Sequence, residues 1–425
     1  MSVSKTYFER SALTVFIISS FGSLLNMGFQ YISLKALSVS EFGDLNTLLS
    51  ISTVVSTIAT VASLDAVRVT SSFWADNSRE KKERKESVFQ YITGVVPIFL
   101  VAVTILFILS YLLRESLNQF FNISDNRLIP LAVISGGINI FSATLAGILQ
   151  GMQRYVAASA ANNIIFVLKL LLSVALYNFG YGVVSALIAL LAGNLLSCLL
   201  SLFLIGKAIA GRKKELSSFS RRQYVESFGG LFAIQLALSL ISNIDMQVVN
   251  SYFDNNVSGL YSSAMVIGRI SNYVISSLIF VFFPVAAADA KSQETKRTFA
   301  KTMLYTVVIT ASFALISTKL YHYLAVPVLG SAYASSEIYI FPIALLFIPV
   351  SLISVIATYS IARKETKYVS VVLFTGIIVF LLAVSYFHSS VKQVLFLETG
   401  ILSLACMLSV VKETLIANKN GKEAG

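Results

Sequence analysis

The stretch Lys207–Val225, KAIAGRKKELSSFSRRQYV, lies near the middle of a mostly apolar chain of 425 residues. It holds a cluster of cations and a single acid, Glu215. Apolar sequence of similar length lies on either side of it. We therefore predict three parts: an N-terminal lobe over residues 1–206, a basic cytoplasmic linker over 207–225, and a C-terminal lobe with a short cytoplasmic tail over 226–425.

The composition is not that of an ordinary soluble domain. Hydrophobic residues make up 56% of the chain and charged residues 12%, whereas soluble domains carry about 25% charged residues. Lipid is therefore the expected solvent. The net charge of +11 would suit a nucleic acid, but the cations lie in short loops between apolar segments, where they favour membrane topology and lipid headgroups. We expect membrane lipids as partners and no nucleic acid.

Apolar windows long enough to cross a bilayer core, about 20 residues each, recur along the whole chain. They predict an all-α integral membrane protein of about 12 transmembrane helices in two six-helix lobes. The windows are 11–34, 45–67, 88–113, 128–149, 156–178 and 183–206 in the first half, and 226–251, 257–285, 299–320, 337–361, 368–387 and 394–416 in the second.

The cations predict the orientation of the chain in the membrane. Most of the 32 Lys and Arg residues fall in one set of alternate loops. Because cytoplasmic loops carry an excess of cations, both termini and the linker are expected in the cytoplasm. The N-terminus has no cleavage site typical of a signal peptide, so the first segment is expected to be retained. The opposite loops hold only Lys35, Arg114, Arg127, Lys319 and Lys392.

Three short stretches resemble one known family of membrane transporters. They are Ser40-Glu41-Phe42-Gly43, then Gly147–Tyr155 with the sequence GILQGMQRY, and the stretch from Asp245 through Tyr252-Phe253 to Gly259-Leu260-Tyr261-Ser262. With these motifs the chain resembles the multidrug/oligosaccharidyl-lipid/polysaccharide exporter superfamily, and within it the polysaccharide transporter branch, the O-antigen flippases. The likeness in segment count and loop pattern covers the whole chain.

This resemblance implies a fold, a cargo and a location. The two lobes are expected to surround a central cavity that opens alternately to each side of the membrane. The implied cargo is an undecaprenyl-pyrophosphate-linked oligosaccharide, moved from the cytoplasmic to the periplasmic leaflet of the bacterial inner membrane during O-antigen and lipopolysaccharide biosynthesis. A polysaccharide polymerase and a chain-length regulator are further partners that it implies.

Cations embedded in the apolar segments are candidates for cargo binding. A charge at the bilayer centre costs about 2.5–3.5 kcal/mol on insertion scales, so one that is present has a partner or a function. Lys169 and Arg269 lie near the middle of the fifth and eighth segments. We predict that both face a shared water-filled cavity and bind the pyrophosphate through charge-assisted hydrogen bonds. Arg68, near the cytoplasmic end of the second segment, is a third candidate for substrate binding.

Other interpretations of these charges stay open. Arg269 either contacts cargo or pairs with Asp245, which lies on the neighbouring segment. Arg68 either contacts cargo, snorkels to the headgroups, or pairs with Asp65, which precedes it by three residues on the same helix face. Asp245 and Asp65 are also the candidate carboxylates for coupling transport to a counter-ion, H⁺ or Na⁺, because burial favours the neutral or cation-bound form of a carboxylate.

The sequence does not predict an enzyme, a metal site or a cofactor. His322 and His388 are far apart, and no nucleotide-binding motif is present. Two rival functions remain: a drug or metabolite antiporter of the same superfamily, and a membrane glycosyltransferase, ligase or polymerase of polysaccharide assembly. The antiporter would have a more acidic and aromatic cavity. The second class needs a catalytic cluster in a sizeable loop, and the loops here are short.

Overall fold

The computed structural model describes residues 2–75, 81–210, 221–288, 293–325, 330–363 and 365–422, which are almost entirely helical and contain no strand. Contacts between Cα atoms divide the chain into two compact units, Met1–Phe232 and Ala233–Gly425. Much of the predicted linker falls on residues 211–220, which lie outside the described ranges. Its role as a cytoplasmic linker stays a prediction.

The first unit contains the first eight helices and the beginning of the ninth. A short helix, α5, was not among the predicted segments. The helices are α1 (Ser2–Ala36), α2 (Val39–Val55), α3 (Thr57–Ala75), α4 (Lys81–Leu112), α5 (Arg114–Phe121), α6 (Leu128–Gly151), α7 (Tyr155–Tyr177), α8 (Gly182–Ile209) and α9 (Arg221–Ile241).

The second unit contains the rest of α9 and seven further helices. A π-helical turn (Tyr321–Ala325) and a 3-10 turn (Ser331–Ser336) lie between the fourth and fifth of these. The helices are α10 (Ile244–Tyr252), α11 (Asn255–Gly268), α12 (Ile270–Ala288), α13 (Gln293–Leu320), α14 (Glu337–Ala362), α15 (Thr366–Tyr386) and α16 (Val391–Lys422).

Each of the twelve predicted segments coincides with one helix or with two helices separated by one or two residues. Within the described ranges, nine helical stretches are long and apolar enough to cross a membrane, or ten if the bent pair α9–α10 counts as one span. The first and eighth predicted segments form helices but are outside this count. The all-α, multi-pass membrane fold is therefore confirmed.

One helix in each unit packs against most of the others. In the first unit it is α6, which contacts α2, α3, α4, α7 and α8, and in the second it is α14, which contacts α11, α12, α13, α15 and α16. Each is the fourth apolar segment of its half. Glycine allows α6 this close packing: a Cβ atom at Gly147 would lie 2.6 Å from the Ser63 carbonyl oxygen. Because that neighbour is backbone, only a residue without a side chain fits.

An apolar core stabilises the first unit from within. Buried residues of α3, α4, α6, α7 and α8 contribute to it, and Tyr91 and Phe99 are its largest members. Trp74, the only tryptophan of the chain, packs partly buried against this core. The Arg84 guanidinium donates a hydrogen bond of 3.0 Å to the Trp74 carbonyl oxygen, which ties the end of α3 to the start of α4.

Three of the predicted segments are interrupted partway along. The α2–α3 segment is interrupted at Ser56, the α9–α10 segment bends by 45° at Ser242 and Asn243, and the α11–α12 segment is interrupted at Arg269. Interruptions free backbone groups that a membrane interior tolerates only where protein or a polar cavity satisfies them. They therefore point to the polar sites.

Candidate functional sites in the two units

Lys169 lies on the buried face of α7 in the first unit, where its side chain is 5% exposed. Its ammonium donates a hydrogen bond of 3.1 Å to Asn26 Oδ1 of α1 and lies 3.8 Å from the centre of the Phe29 ring. An amide oxygen and an aromatic face are both neutral groups that attract a cation. No carboxylate lies within ion-pair distance of Lys169 in the described part of the chain.

The seam between α1 and α7 is polar over much of its length. Towards one end Tyr177 donates a hydrogen bond of 2.8 Å to Ser33. Towards the other end a Cβ atom at Gly22 would lie 1.8 Å from Asn163 Oδ1, so the two helices approach closely there. Polar pairs between helices in lipid are worth about 0.6 kcal/mol each. The seam therefore fixes the position of Asn26 and Phe29 around Lys169.

Asp65 and Arg68 form the local pair that was one of the predicted alternatives. Arg68 Nη2 lies 2.8 Å from Asp65 Oδ1, and the Tyr91 hydroxyl donates to Asp65 Oδ2 at 3.3 Å. The Asp65 side chain is 2% exposed and that of Arg68 is 61% exposed. The charge of Asp65 is thus compensated, while part of the Arg68 guanidinium remains exposed. Whether Arg68 contacts cargo stays a prediction.

Arg269 lies at the interruption between α11 and α12 and contacts the bend between α9 and α10. Its Nη2 donates to the Ser242 carbonyl oxygen and to Asn243 Oδ1, each at 3.4 Å. A helix end leaves carbonyl groups without an intrahelical partner, and Arg269 satisfies one of them. The alternative of a direct ion pair with Asp245 is not formed: Arg269 lies close enough for electrostatic attraction but not within 4.0 Å.

Asp245 lies in the first turn of α10, directly after the bend, and is 1% exposed. Its Oδ2 accepts a hydrogen bond of 2.5 Å from the hydroxyl of Tyr261 on α11. Its Oδ1 is buried and has no hydrogen-bond partner among the described residues. A carboxylate near a helix N-terminus is stabilised by the helix dipole. Half of the hydrogen-bonding capacity of Asp245 is nevertheless unused.

Glu398 of α16 is a second buried carboxylate beside Asp245. Its side chain is 1% exposed, and neither carboxyl oxygen has a hydrogen-bond partner among the described residues. It interacts electrostatically with both Asp245 and Tyr261. The sequence analysis did not include Glu398 among the candidates. The signal was present, since Glu398 is the only acid between Val391 and Val411 of an apolar segment.

The carboxylate pair has a chemical consequence. An ionised carboxyl group buried without a partner is costly, and two such groups repel each other. The pair therefore favours a bound proton or a small cation such as Na⁺. No group of three or more His, Cys, Asp or Glu side chains suited to a metal ion occurs in the ranges that the structure describes.

The structure brings some of the predicted residues together. Asp65 and Arg68 form one cluster in the first unit, and Asp245 and Arg269 belong to one cluster in the second, with Tyr261, Asn243 and Glu398. Lys169 and Arg269 belong to different units. A cavity shared by the two stays a prediction.

Solved structures of membrane transporters have the same fold. An inward-facing multidrug resistance MATE transporter of the MOP superfamily is 12% identical with a TM-score of 0.75, over 97% of this chain and 100% of that chain. The lipid II flippase MurJ in an inward closed conformation is 17% identical with a TM-score of 0.69, over 95% of this chain and 87% of that chain. A MOP superfamily transporter from Pyrococcus furiosus is 14% identical with a TM-score of 0.68, over 96% and 95%.

The three structural relatives are transporters and a flippase rather than enzymes. No match is found among curated proteins. The sequence model of polysaccharide biosynthesis proteins matches residues 9–288, a range that includes Lys169, Asp245 and Arg269 and ends before Glu398. The resemblance carried by the three short motifs is confirmed at the level of the family: the chain belongs to the polysaccharide biosynthesis protein family, and it shares its fold with transporters of the MOP superfamily.

Proposed function

We propose that this protein is a flippase for a lipid-linked oligosaccharide. It would move an undecaprenyl-pyrophosphate-linked repeat unit of O-antigen type from the cytoplasmic to the periplasmic leaflet by alternating access. The inner membrane and cytoplasmic termini belong to this proposal, as do a polymerase and a chain-length regulator as partners. The observation that carries it is Lys169, a buried ammonium with only neutral partners in a member of a polysaccharide biosynthesis family.

A diphosphate is the ligand that such an ammonium suits best. Charge-assisted hydrogen bonds to phosphate oxygens are about twice as strong as neutral ones, so a pyrophosphate would displace Asn26 from Lys169. In the present conformation α1 covers the ammonium. Opening of the seam between α1 and α7 would expose it, and the polar side chains of the seam would then face the sugar hydroxyls.

This arrangement assigns different parts of the cargo to different surroundings. The charged headgroup and the glycan cannot cross hydrocarbon unaided, because stripping water from an isolated charge costs far more than any single contact returns. The prenyl chain can remain in lipid. A flippase therefore needs a polar route with a side opening rather than a closed pore.

A counter-ion site in the second unit would couple transport to a gradient of H⁺ or Na⁺ across the membrane. Asp245 with Glu398 fits that role better than Asp65, because Asp65 is already paired with Arg68 at 2.8 Å while the other two carboxyl groups have unused oxygens. Binding of H⁺ or Na⁺ there would remove the repulsion between Asp245 and Glu398. The adjacent bend between α9 and α10 would respond to that change.

Loss of either embedded cation tests the proposal. In a strain whose own O-antigen flippase is deleted, the wild-type chain should restore surface polysaccharide, whereas Lys169→Ala and Arg269→Ala should each lower it at least tenfold at equal membrane levels of protein. Lys35→Ala is the matched control, since Lys35 is an exposed cation stacked near Tyr31. Full export by both variants would remove the assignment of Lys169 and Arg269 to a cargo-binding cavity.

A drug or metabolite antiporter of the same superfamily is the second candidate function. The acidic cluster of Asp245 and Glu398 in the second unit favours it, since organic cations bind to buried carboxylates. The same strain decides between the two functions. An antiporter would raise resistance to cationic drugs without restoring surface polysaccharide.

A further inference from the structure

An apolar groove of about 350 Å³ runs along one side of the second unit. The central helix α14 packs against both α13 and α16, and the groove lies between these two outer helices over Leu352 of α14. Eight apolar side chains line it, including Leu304 and Val307 of α13 and Met407 and Val411 of α16. The groove is open along one side, so a chain lying in the membrane can enter it from lipid.

The lining suits a flexible hydrocarbon chain rather than a rigid or polar ligand. Leu304, Met407 and Val411 are between 55% and 64% exposed, so they present their side chains to an occupant. Methionine side chains adapt their shape to what they contact, and two of them line the groove, Met303 and Met407. Because lipid surrounds the groove, removal of apolar surface from water does not contribute to the binding free energy of such a chain. Close van der Waals packing against the lining does.

Among the described residues, two cations lie near one end of the groove. Lys301 precedes Leu304 by one turn of α13, and Lys412 follows Val411 on α16, where its ammonium lies 4.3 Å from the centre of the Tyr368 ring. The groove-lining residues lie towards the start of α13 and towards the end of the apolar part of α16, so both lysines are at the same end. By the distribution of loop cations this end faces the cytoplasm. A ligand with an apolar tail and an anionic head matches that polarity.

We infer that this groove binds the prenyl chain of the lipid-linked cargo in the cytoplasmic leaflet, with the phosphate of its headgroup towards Lys301 and Lys412. The inference rests on the proposed function, because that function requires a long lipid tail to be held beside the protein while the headgroup enters the polar route. The prenyl chain would stay bound in the groove within the cytoplasmic leaflet, where the cargo is made, while the headgroup crosses the membrane.

Photo-crosslinking tests the groove directly. The full chain is placed in nanodiscs of phosphatidylethanolamine and phosphatidylglycerol, and a trace of undecaprenyl phosphate with a photoreactive group on its tail is added. Crosslinks should map to 303–307 and 406–411. Unlabelled undecaprenyl phosphate should compete with the probe, and added phosphatidylglycerol should not. Equal competition by phosphatidylglycerol would mean ordinary membrane lipid in the groove and would overturn the inference.

Matched variants add a second test. Val307→Trp fills the groove and should lower labelling at least fivefold. Ile316→Trp places the same bulk nine residues on, two and a half turns along α13 and so on its opposite face, and should leave labelling unchanged. Equal labelling of the two variants would contradict the inference. The competition experiment needs no variant, so it stands even where Val307→Trp fails to fold.

A third experiment tests the role of Lys301 and Lys412. The double variant Lys301→Gln/Lys412→Gln should weaken competition by undecaprenyl phosphate several-fold and leave competition by neutral undecaprenol unchanged. An equal effect on both lipids would remove the role of the cations. Labelling does not measure transport. Absence of labelling in a chain that restores surface polysaccharide would reject the groove alone, whereas normal labelling in a chain that restores no surface polysaccharide would reject the proposed transport function alone.

Discussion

The two units bury ionisable side chains in different surroundings. In the first, the Lys169 ammonium lies against an amide oxygen and an aromatic face. In the second, Asp245 accepts one side-chain hydrogen bond, from the hydroxyl of Tyr261, and neither carboxyl oxygen of Glu398 has a hydrogen-bond partner among the described residues. The Lys169 ammonium thus has a hydrogen-bond acceptor and an aromatic face as partners. Three of the four carboxyl oxygens of Asp245 and Glu398 have no hydrogen-bond partner among the described residues.

The difference indicates what each unit is prepared to bind. The Lys169 ammonium has no carboxylate partner among the described residues, so an anionic ligand would supply the opposite charge that the site lacks. Carboxylates with too few donors favour a proton or a cation instead. This contrast agrees with the proposal that the first unit binds an anionic ligand and the second a counter-ion. Substitutions that exchange or remove these charges can break or sharpen the contrast.

The largest effect is expected from reversing the charge in the first unit. Lys169→Glu would place a carboxylate against Asn26 Oδ1 and the face of Phe29, both of which repel an anion. A buried charged group that is left without a hydrogen bond costs more than about 3 kcal/mol, so the free energy of unfolding in mixed micelles should fall by at least that amount. The double variant Lys169→Met/Asn26→Leu removes the charge and its partner together and should stay close to the wild type. A stable Lys169→Glu would show that this site does not select for a cation.

An intermediate effect is expected from removing the donor in the second unit. Tyr261→Phe deletes the hydrogen bond of 2.5 Å to Asp245 and keeps the ring, so the free energy of unfolding should fall by about 1–3 kcal/mol, the cost of leaving a buried polar group unsatisfied. Tyr339→Phe is the control, because its ring lies 6.3 Å from that of Tyr261 in an edge-to-face contact that the substitution preserves. Equal losses in the two variants would mean that the hydrogen bond contributes nothing specific.

The smallest effect on stability is expected at Glu398. Glu398→Gln removes a charge and breaks no hydrogen bond, so the free energy of unfolding should change by less than about 1 kcal/mol. The wild type should become more stable when Na⁺ is added or when the pH falls, and the variant should lose that dependence. Glu294→Gln, an exposed change on α13, should retain it. A wild type that responds to neither ion would remove the counter-ion role.

The sequence was sufficient for the fold but only partly for the sites. Runs of apolar residues placed all twelve segments, because the bilayer fixes the length that a helix needs. The same rule identified Lys169 as an embedded charge. It did not identify Asn26 and Phe29 as its partners, since these lie about 140 residues earlier on a helix whose rotation against α7 depends on packing. Glu398 was missed although the rule that identified Lys169 applies to it equally.

The interruptions could not be predicted from local sequence. Segments 226–251 and 257–285 were each expected to be continuous, and neither contains a proline at the break. The bend after Ile241 is stable because a side chain from another segment, Arg269, donates to the carbonyl oxygen of Ser242. A partner that arrives only in the folded state leaves no signal in the residues of the bend itself.

The single tryptophan gives the protein an optical probe whose location is known in advance. Trp74 packs against the core of the first unit, and its carbonyl oxygen is held by Arg84, so its emission reports events in that half of the molecule. A shift in fluorescence on adding a pyrophosphate lipid would record a response in the unit that contains Lys169. Protonation of Asp245 and Glu398 should change the emission spectrum of Trp74 only if the two units are conformationally coupled. The wild-type chain can therefore report such coupling without an added label.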